Sequence, residues 1–365
     1  MDWNSLRKSC LEPQSYQTIH FLAEEGNIPS LNIYLQYIGS PNIAVGGITP
    51  LYLAAREGHF EVVRLLVEYG AEVNPKASDG YPAYSPIFAA IYHKRDRIVE
   101  FLLKNGVELD IYLAAALGDL ENLKRLLADE DDINSLNIKR NEPFFGGASL
   151  LHLAICRDSM PVAEFLLEKG ADIHIRNKSG DTPLHHAAKY NALAVAQLLI
   201  EKGAKLDAEP EKEDTPLHRA CRYGHVEMIE LLLDNGAEIN ALGWPRKTPI
   251  NEAIQGNYPE AVKVLIDRGV YLGSIRYYTF YGNDNTEHSS KRPLTLAREL
   301  GDREEIIELL IANGAKEFGD DILSANPSLA LLVGGVIVLL VHLSMHYLSA
   351  FLYDITATPC IPPPY

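Results

Sequence analysis

Three histidines in the middle of the chain have a spacing that could support chemistry. They lie 33 residues apart, at His152, His185 and His218. Imidazole can act as a general base or as a metal ligand, but either role needs a suitably placed partner side chain. No serine, cysteine or carboxylate stands at nucleophile–base spacing, and His186 follows His185 directly rather than at i+4. We therefore expect neither a catalytic residue nor a metal site.

Other sequence signatures of chemistry are also missing. The chain contains no phosphate-binding loop, dinucleotide-binding glycine pattern, HExxH zinc motif or kinase signature. Its four cysteines form no CxxC pair and no zinc spacing, which favours a reducing compartment. A net charge of −16 without a Lys/Arg stripe argues against a nucleic-acid partner. The sequence thus predicts a non-enzymatic protein without a cofactor.

The central histidines belong to a short helical unit. Thr182 is suited to the N-cap of a helix, and Pro183 suits the first turn, where a missing N–H costs nothing. Leu184 begins an apolar face that continues with alanines at i+3 and i+4. A second helix follows, and Gly203 is placed to end it in the left-handed conformation. Two short helices cannot bury their apolar faces alone, so this unit needs neighbours.

Such neighbours recur along the chain at a fixed period of 33 residues. The repeated apolar residue stands at Leu151, Leu184, Leu217 and Ile250, and the repeated glycine at Gly170, Gly203, Gly236 and Gly269. A Thr-Pro-Leu-His motif occupies Thr182, Pro183, Leu184 and His185, and again Thr215, Pro216, Leu217 and His218. This period and motif resemble the ankyrin repeat. The resemblance implies stacked helix pairs, projecting turns or hairpins (the fingers), a concave binding side and a structural, hydrogen-bonding histidine.

The repeats predict an all-α solenoid. We expect about nine helix-pair units, including the caps, between residues 18 and 319, after an N-terminal extension at 1–17. The unit that begins at Ile111 follows its predecessor by only 24 residues, so its finger is cut to a tight turn. The irregular part of the stack spans 111–147, where a loop is favoured over a bend or a partner pocket.

An insertion at 272–292 precedes the last repeat. Its first part is strand-like and aromatic, and residues 282–285 are turn-like, which predicts a long hairpin finger. Aromatic residues and arginine are common interface anchors, so this finger is a candidate partner site. The candidate residues are Arg276, Tyr277, Tyr278, Phe280 and Tyr281. Packing of these aromatics on the last repeat or on a membrane surface is an equal alternative.

The C-terminal region is strongly apolar. After a linker at 320–327, residues 328–353 contain no formal charge over 26 positions, long enough for a transmembrane helix. A Pro-rich tail at 354–365 follows. This arrangement resembles tail-anchored proteins, which implies cytosolic repeats, and the lack of positive charge favours the endoplasmic reticulum over mitochondria. Ala330 and Gly334 form a small-xxx-small pair that permits helix–helix association in the membrane.

The end of the chain carries a second short motif. Pro362, Pro363 and Tyr365 resemble the Pro-Pro-x-Tyr ligand of WW domains. A spanning segment at 328–353 would place this motif out of reach of cytosolic WW domains, so the two features conflict, and we favour the span.

The sequence therefore predicts a membrane-anchored ankyrin-repeat scaffold that binds a protein partner through its fingers and concave side. The alternative is a soluble adaptor, such as a ubiquitin-ligase substrate receptor or a bacterial effector, whose apolar tail packs on a partner. Extraction with carbonate separates the two, because it leaves an integral membrane protein in the pellet.

Overall fold

The structure is a computed structural model that describes most of the chain between residues 15 and 316. The gaps within this range are 38, 76–83, 128–132, 136–146, 208–213, 244–246, 274–275 and 282–283. The chain divides into two compact units, one ending at Gly256 and one beginning at Asn257. The anchor predicted at 328–353, the linker at 320–327 and the tail at 354–365 lie outside the described residues.

The first unit is built from fifteen α-helices in its described part. They are α1 (Ser15–Glu24), α2 (Ile28–Tyr37), α3 (Pro50–Glu57), α4 (Phe60–Glu68), α5 (Pro86–Tyr92), α6 (Asp96–Lys104), α7 (Ile111–Leu117), α8 (Leu120–Leu126), α9 (Leu150–Ala154), α10 (Met160–Glu168), α11 (Pro183–Tyr190), α12 (Leu193–Glu201), α13 (Pro216–Tyr223), α14 (Val226–Asp234) and α15 (Pro249–Gly256). A short 3-10 helix, Ile155–Arg157, extends α9. Successive pairs, beginning with α1 and α2, define repeats 1 to 7, and α15 opens repeat 8.

The helices of the first unit pack in two rows. Each odd-numbered helix contacts the next odd-numbered helix, from α1 through to α15, and we call these the inner helices. The even-numbered outer helices contact their neighbours in the series α2, α4, α6 and again in the series α10, α12, α14. Each inner helix also packs against the outer helix that follows it within the same repeat, from α1–α2 through α13–α14. This is the helix-pair stack that the 33-residue period predicts.

Apolar burial holds the rows together. Leu184 and Leu217 are fully buried, as are the alanines that follow them at i+3. The outer helix α12 buries Val195 and Leu199, one turn apart, against the inner row. Burying a leucine side chain stabilises the fold by about 1.5–3 kcal/mol. Each repeat buries several apolar side chains, and their burial requires the neighbouring repeats.

Inner helices end in a left-handed residue. Glycine occupies this position at Gly58, Gly118 and Gly224, with φ values of 93°, 73° and 67°. Lys94 and Asp158 adopt the same conformation, with φ values of 55° and 49°. For a residue with a Cβ this conformation costs about 1–2 kcal/mol, and only short polar side chains such as aspartate relieve it locally.

The second unit contains α16 (Pro259–Asp267), a hairpin of β1 (Arg276–Tyr281) and β2 (Asp284–Ser289), α17 (Pro293–Leu300) and α18 (Glu304–Ala312). The strands pair in antiparallel register, with Arg276 opposite Ser289 and Tyr281 opposite Asp284. The hairpin therefore exists where the aromatic run predicted it. Asp284 and Asn285, which the sequence placed in the turn, belong to β2 and lie opposite Tyr281 and Phe280.

The described residues contain eighteen α-helices, two for each of the nine predicted repeats. The prediction of a helical ankyrin-type solenoid is thus confirmed for this part of the chain. Extended pairing among the same residues is limited to the hairpin and an isolated bridge between Val45 and Ile48. None of the described helices has both the length and the apolar character needed to cross a membrane.

Candidate partner-binding surface

In repeats 5 to 7, a hydroxyl and a histidine fix the start of the inner helix. In α11, the N–H of Thr182 donates to Nδ1 of His185 at 3.2 Å, and the Thr182 hydroxyl lies 2.8 Å from the same nitrogen. Thr215 and His218 repeat this geometry at 3.1 and 2.8 Å. Because a backbone N–H donates to Nδ1, this nitrogen carries no proton, and the neutral ring is protonated on Nε2.

The protonated nitrogen joins one repeat to the next. Nε2 of His185 donates to the carbonyl oxygen of Asp214 at 2.7 Å, and Nε2 of His218 donates to that of Lys247 at 2.9 Å. His152 makes the same bond to the carbonyl oxygen of Asp181 at 3.0 Å. Each ring thus fixes both the start of its own helix and the base of the next finger.

Burial keeps these imidazoles neutral. It lowers the pKa of His152 to about 4, although its hydrogen bond to the Asp181 carbonyl acts in the opposite direction. Burial also lowers the pKa of His185, His186 and His218. A ring that is buried, neutral and committed at both nitrogens is suited to holding structure, as His185 and His218 are, and has no free atom for proton transfer.

One residue with this role escaped the sequence motif. Nε2 of His20, in α1, contacts the carbonyl oxygen of Ile48 at 3.0 Å, so repeat 1 is tied to the next finger in the same way. The sequence signal is the run Ile19-His20-Phe21-Leu22-Ala23, in which His20 follows an apolar residue as His185 follows Leu184. Tyr52 replaces histidine in repeat 2, where its ring packs against Tyr84 with centroids 5.4 Å apart.

Asparagine side chains form a second tie between neighbouring repeats. Asn42 donates from Nδ2 to the carbonyl oxygen of Gly70 at 3.0 Å and accepts from the N–H of Glu72 at 2.7 Å. Asn74 and Asn134 form the same pair of hydrogen bonds further along the chain. These contacts hold the fingers in register, and sequence reasoning did not assign them.

Beyond the motif histidines, the inner helices of repeats 6 to 8 carry an ionic network. Arg219 reaches Asp181 at 2.8 Å, while Arg222 contacts Asp214 at 2.7 Å and Glu252 at 2.9 Å. Burial acts to raise the pKa of Glu252 and Asp214, but the nearby arginines prevail and lower both. The charges stay ionised and paired, so this part of the surface is polar but already matched.

Inner-helix ends from distant repeats meet in one place. The rings of Tyr92, at the end of α5, and Tyr190, at the end of α11, pack edge to face with centroids 5.4 Å apart. The ammonium of Lys189 lies 5.4 Å from the centroid of each ring. Arg157 forms an ion pair with Asp96 across the same region. Repeat 3 therefore touches repeats 5 and 6 directly, although a solenoid repeat ordinarily contacts only its neighbours.

Repeat 4 lies between these partners in sequence and is the irregular unit. Asp110 stands where most of the other repeats have proline, and it caps α7 by accepting from the N–H of Leu113 at 2.8 Å. The inner helix therefore begins one residue later, at Ile111. Direct contacts between repeats 3 and 5 bypass it.

The remaining predicted site residues lie in the aromatic hairpin and at the end of the chain. Arg276 to Tyr281 form β1, but their side chains lie outside the described part of the structure, so their partner-binding role stays a prediction. Pro362, Pro363 and Tyr365 also lie outside it. Within the described ranges, no group of three or more His, Cys, Asp or Glu side chains is arranged to hold a metal ion.

The stacked helix pairs, hydroxyl–histidine caps and finger ties define a class of helical-repeat scaffolds. A family model for ankyrin repeats (three copies) matches residues 19–112, 111–210, 151–243 and 207–276. These matches run without a break over 258 of the 365 residues. The chain belongs to the ankyrin-repeat family, whose fold serves protein–protein interaction.

Individual relatives match the chain over stretches of 138 to 149 residues. The chain is 31% identical over 138 residues to a bovine (Bos taurus) mitochondrial disaggregase, which covers 36% of this chain and 20% of that protein. It is 33% identical over 149 residues to the chicken (Gallus gallus) nuclear factor NF-kappa-B p105 subunit, a match that covers 37% of this chain and 14% of that protein. It is 30% identical over 138 residues to a mouse (Mus musculus) B-cell lymphoma 3 protein homolog, a match that covers 38% of this chain and 23% of that protein. The match spans less than a quarter of each relative, and their names describe different proteins.

Proposed function

We propose that this chain is a non-enzymatic scaffold that binds a protein partner through its ankyrin repeats and is held on a membrane by residues 328–353. The observation that carries the proposal is the continuous row of inner helices from α1 to α15. Successive repeats contribute side chains to the surface of this row. A specific interface on such a surface would bury about 800 Å² on each side.

The aromatic hairpin is the second part of the proposed partner surface. Replacing Tyr277, Tyr278 and Tyr281 with alanine is expected to weaken partner capture and to leave the melting curve nearly unchanged, because interface anchors contribute to binding rather than to folding. Capture is measured by pull-down and stability by thermal unfolding of the same variant. A large loss of stability would instead identify the tyrosines as packing residues.

The proposed anchor rests on composition. Residues 328–353 would be about 39 Å long as a helix, against a hydrocarbon core of about 30 Å, so they suffice to span with tilt. The repeats would then face the cytosol, with the endoplasmic reticulum as the favoured membrane. The segment between Ala330 and Gly334 would permit association with another membrane helix.

Two measurements test the anchor. Carbonate extraction should leave the chain in the membrane pellet, whereas release would favour a soluble adaptor whose apolar segment packs on a partner. A glycosylation acceptor appended after Tyr365 should be modified in cells if that end is luminal. If the tag is unmodified and protease removes it from intact microsomes, residues 328–353 do not span the membrane. That result would favour the hypothesis that Pro362, Pro363 and Tyr365 form a WW-domain ligand.

A further inference from the structure

A cavity of about 270 Å³ lies where the ends of α5, the 3-10 helix and α11 meet. Its lining includes the charged residues Lys94, Arg157, Asp96 and Asp158, together with Tyr190 and Asn191. We call this cavity, together with the adjoining Tyr92 and Lys189, the tyrosine–lysine site. A cavity of about 150 Å³ already admits a benzene-sized group, so this one has room for a side chain or a small molecule.

The charges of the site are unevenly matched. All four arginines on the described inner helices of the first unit pair with carboxylates, at Arg56, Arg157, Arg219 and Arg222. In the described part of the chain, by contrast, neither Lys94 nor Lys189 forms an ion pair. The chain has 49 acidic residues against 33 basic ones, so a shortage of acids does not explain the difference.

The acidic residues beside the cavity are committed elsewhere. Asp158 accepts from the N–H groups of Ala194 and Val195, at 3.2 and 2.9 Å, and so caps the start of α12. Asp96 pairs with Arg157. Neither carboxylate pairs with the lysines. Asp181 favours the charged form of Lys189 but is itself paired with Arg219 at 2.8 Å, so within the described residues both ammonium groups are available to an anion.

One further feature fits an incoming anion. Lys189 is partly buried and held over two tyrosine rings, and burial lowers the pKa of its ammonium. An anion bound nearby would reverse that shift, because it favours the charged form.

We propose that the tyrosine–lysine site binds a carboxylate on a short aliphatic arm, as carried by the glutamate side chains of an acidic peptide or by a small free dicarboxylic acid. The carboxylate would pair with Lys94 and Lys189, and its methylene groups would pack on the rings of Tyr92 and Tyr190. This inference goes beyond the proposed scaffold function, and its test uses neither the unidentified partner nor a membrane.

The test is calorimetric titration of the full chain, purified in mild detergent, with three probes. Hexaglutamate and glutarate carry the carboxylate, and hexaglutamine is the uncharged match. We expect a Kd of about 1 mM or tighter for at least one acidic probe, weakened by added salt, and no binding of hexaglutamine. Binding of both acidic probes assigns a site for small acids, whereas binding of the peptide alone assigns a peptide site.

The decisive variant is Lys94→Gly. It removes the ammonium and relieves the left-handed backbone, so the protein should fold at least as well while losing about tenfold or more in affinity. Lys189→Gln should have a similar effect on binding. Lys104→Gln is the matched control, because this exposed lysine in the same repeat lies away from the cavity.

Three results would overturn the proposal. The first is absence of binding by both acidic probes, and the second is equal binding of hexaglutamine. The third is an equal loss in Lys104→Gln, which would show attraction to overall charge. Because the probes report on the isolated chain, each of these results leaves partner capture by the scaffold open to its own test.

Discussion

Repeats 5 to 7 and repeat 4 hold the same helix pair in different ways. In repeats 5 to 7 a hydroxyl and a neutral histidine start each inner helix, and the histidine also reaches the next finger. Repeat 4 starts with Asp110 and has Tyr112 where the histidine would stand. Both kinds of repeat fully bury a leucine near the start of the inner helix, at Leu113 as at Leu184. Apolar burial therefore forms the helix pair, and the polar bonds fix its register to the neighbours.

This difference coincides with the change in contacts along the stack. Each inner helix of the first unit lies against the next one in order, in repeat 4 as in the repeats with histidine bonds. Around repeat 4, side chains of repeat 3 reach repeats 5 and 6 directly. The tyrosine–lysine site lies where repeat 3 contacts repeats 5 and 6, next to the irregular repeat 4.

The largest expected effect comes from removing apolar burial, which both regions share. Leu184→Ala and Leu217→Ala should each lower the free energy of unfolding by about 2–5 kcal/mol, because both leucines are fully buried. Leu113→Ala should cost a similar amount in repeat 4. Urea unfolding followed by circular dichroism measures all three. A shift close to zero for both Leu184→Ala and Leu217→Ala would contradict the repeat register.

Acidification should separate the two regions. The pKa of His152 is about 4 in the folded protein, against an ordinary value of 6.5, because burial disfavours its charged form. Between pH 6.5 and about 4 the unfolded chain binds a proton that the folded chain does not. The free energy of unfolding therefore falls as the pH falls through this window, by about 1.4 kcal/mol per pH unit for each such histidine.

Hydrogen exchange with mass spectrometry, at pH 7 and at pH 5, locates this loss. Peptides from repeats 5 to 7 should lose protection on acidification, after correction for the intrinsic exchange rate. Peptides from α7 and α8 have no motif histidine and should lose less. Equal loss in both regions would show that acid acts through global unfolding rather than through the histidine bonds.

The smallest expected effects are at the left-handed ends of the inner helices. Lys94→Gly should stabilise the protein by about 1 kcal/mol, because it removes a strained side chain at φ 55°. Gly118→Ala, in repeat 4, should destabilise it by about 1–2 kcal/mol, since φ is 73° and a Cβ would lie 2.9 Å from the Ser159 hydroxyl. Opposite signs in thermal unfolding confirm the assignment, and equal signs contradict it.

Much of the fold could be predicted because each repeat carries its own local signals. Thr182, Pro183 and Gly203 mark helix ends, and the 33-residue period supplies the neighbours. The aromatic run at 276–281 indicated a strand, although not that Asp284 and Asn285 would extend its partner.

The meeting of Tyr92 with Tyr190 could not be predicted in the same way. These residues are 98 positions apart, and their contact depends on how the irregular repeat places its neighbours rather than on any local pattern. The capping of α12 by Asp158 is similar, since it joins two repeats. One signal was available, however. Lys94, Asp158 and Asn191 stand where glycine is the default, and all three line the cavity.

The central claim is that the repeats capture a protein partner at a membrane. Proximity labelling in intact cells tests it most directly, with the full chain, the chain without residues 328–365, and the Tyr277/Tyr278/Tyr281 alanine variant. For the full chain, the account predicts labelled neighbours that include membrane proteins. The chain without residues 328–365 should no longer label those membrane proteins, and the tyrosine variant should no longer label one specific partner. Identical neighbours for all three proteins would contradict it.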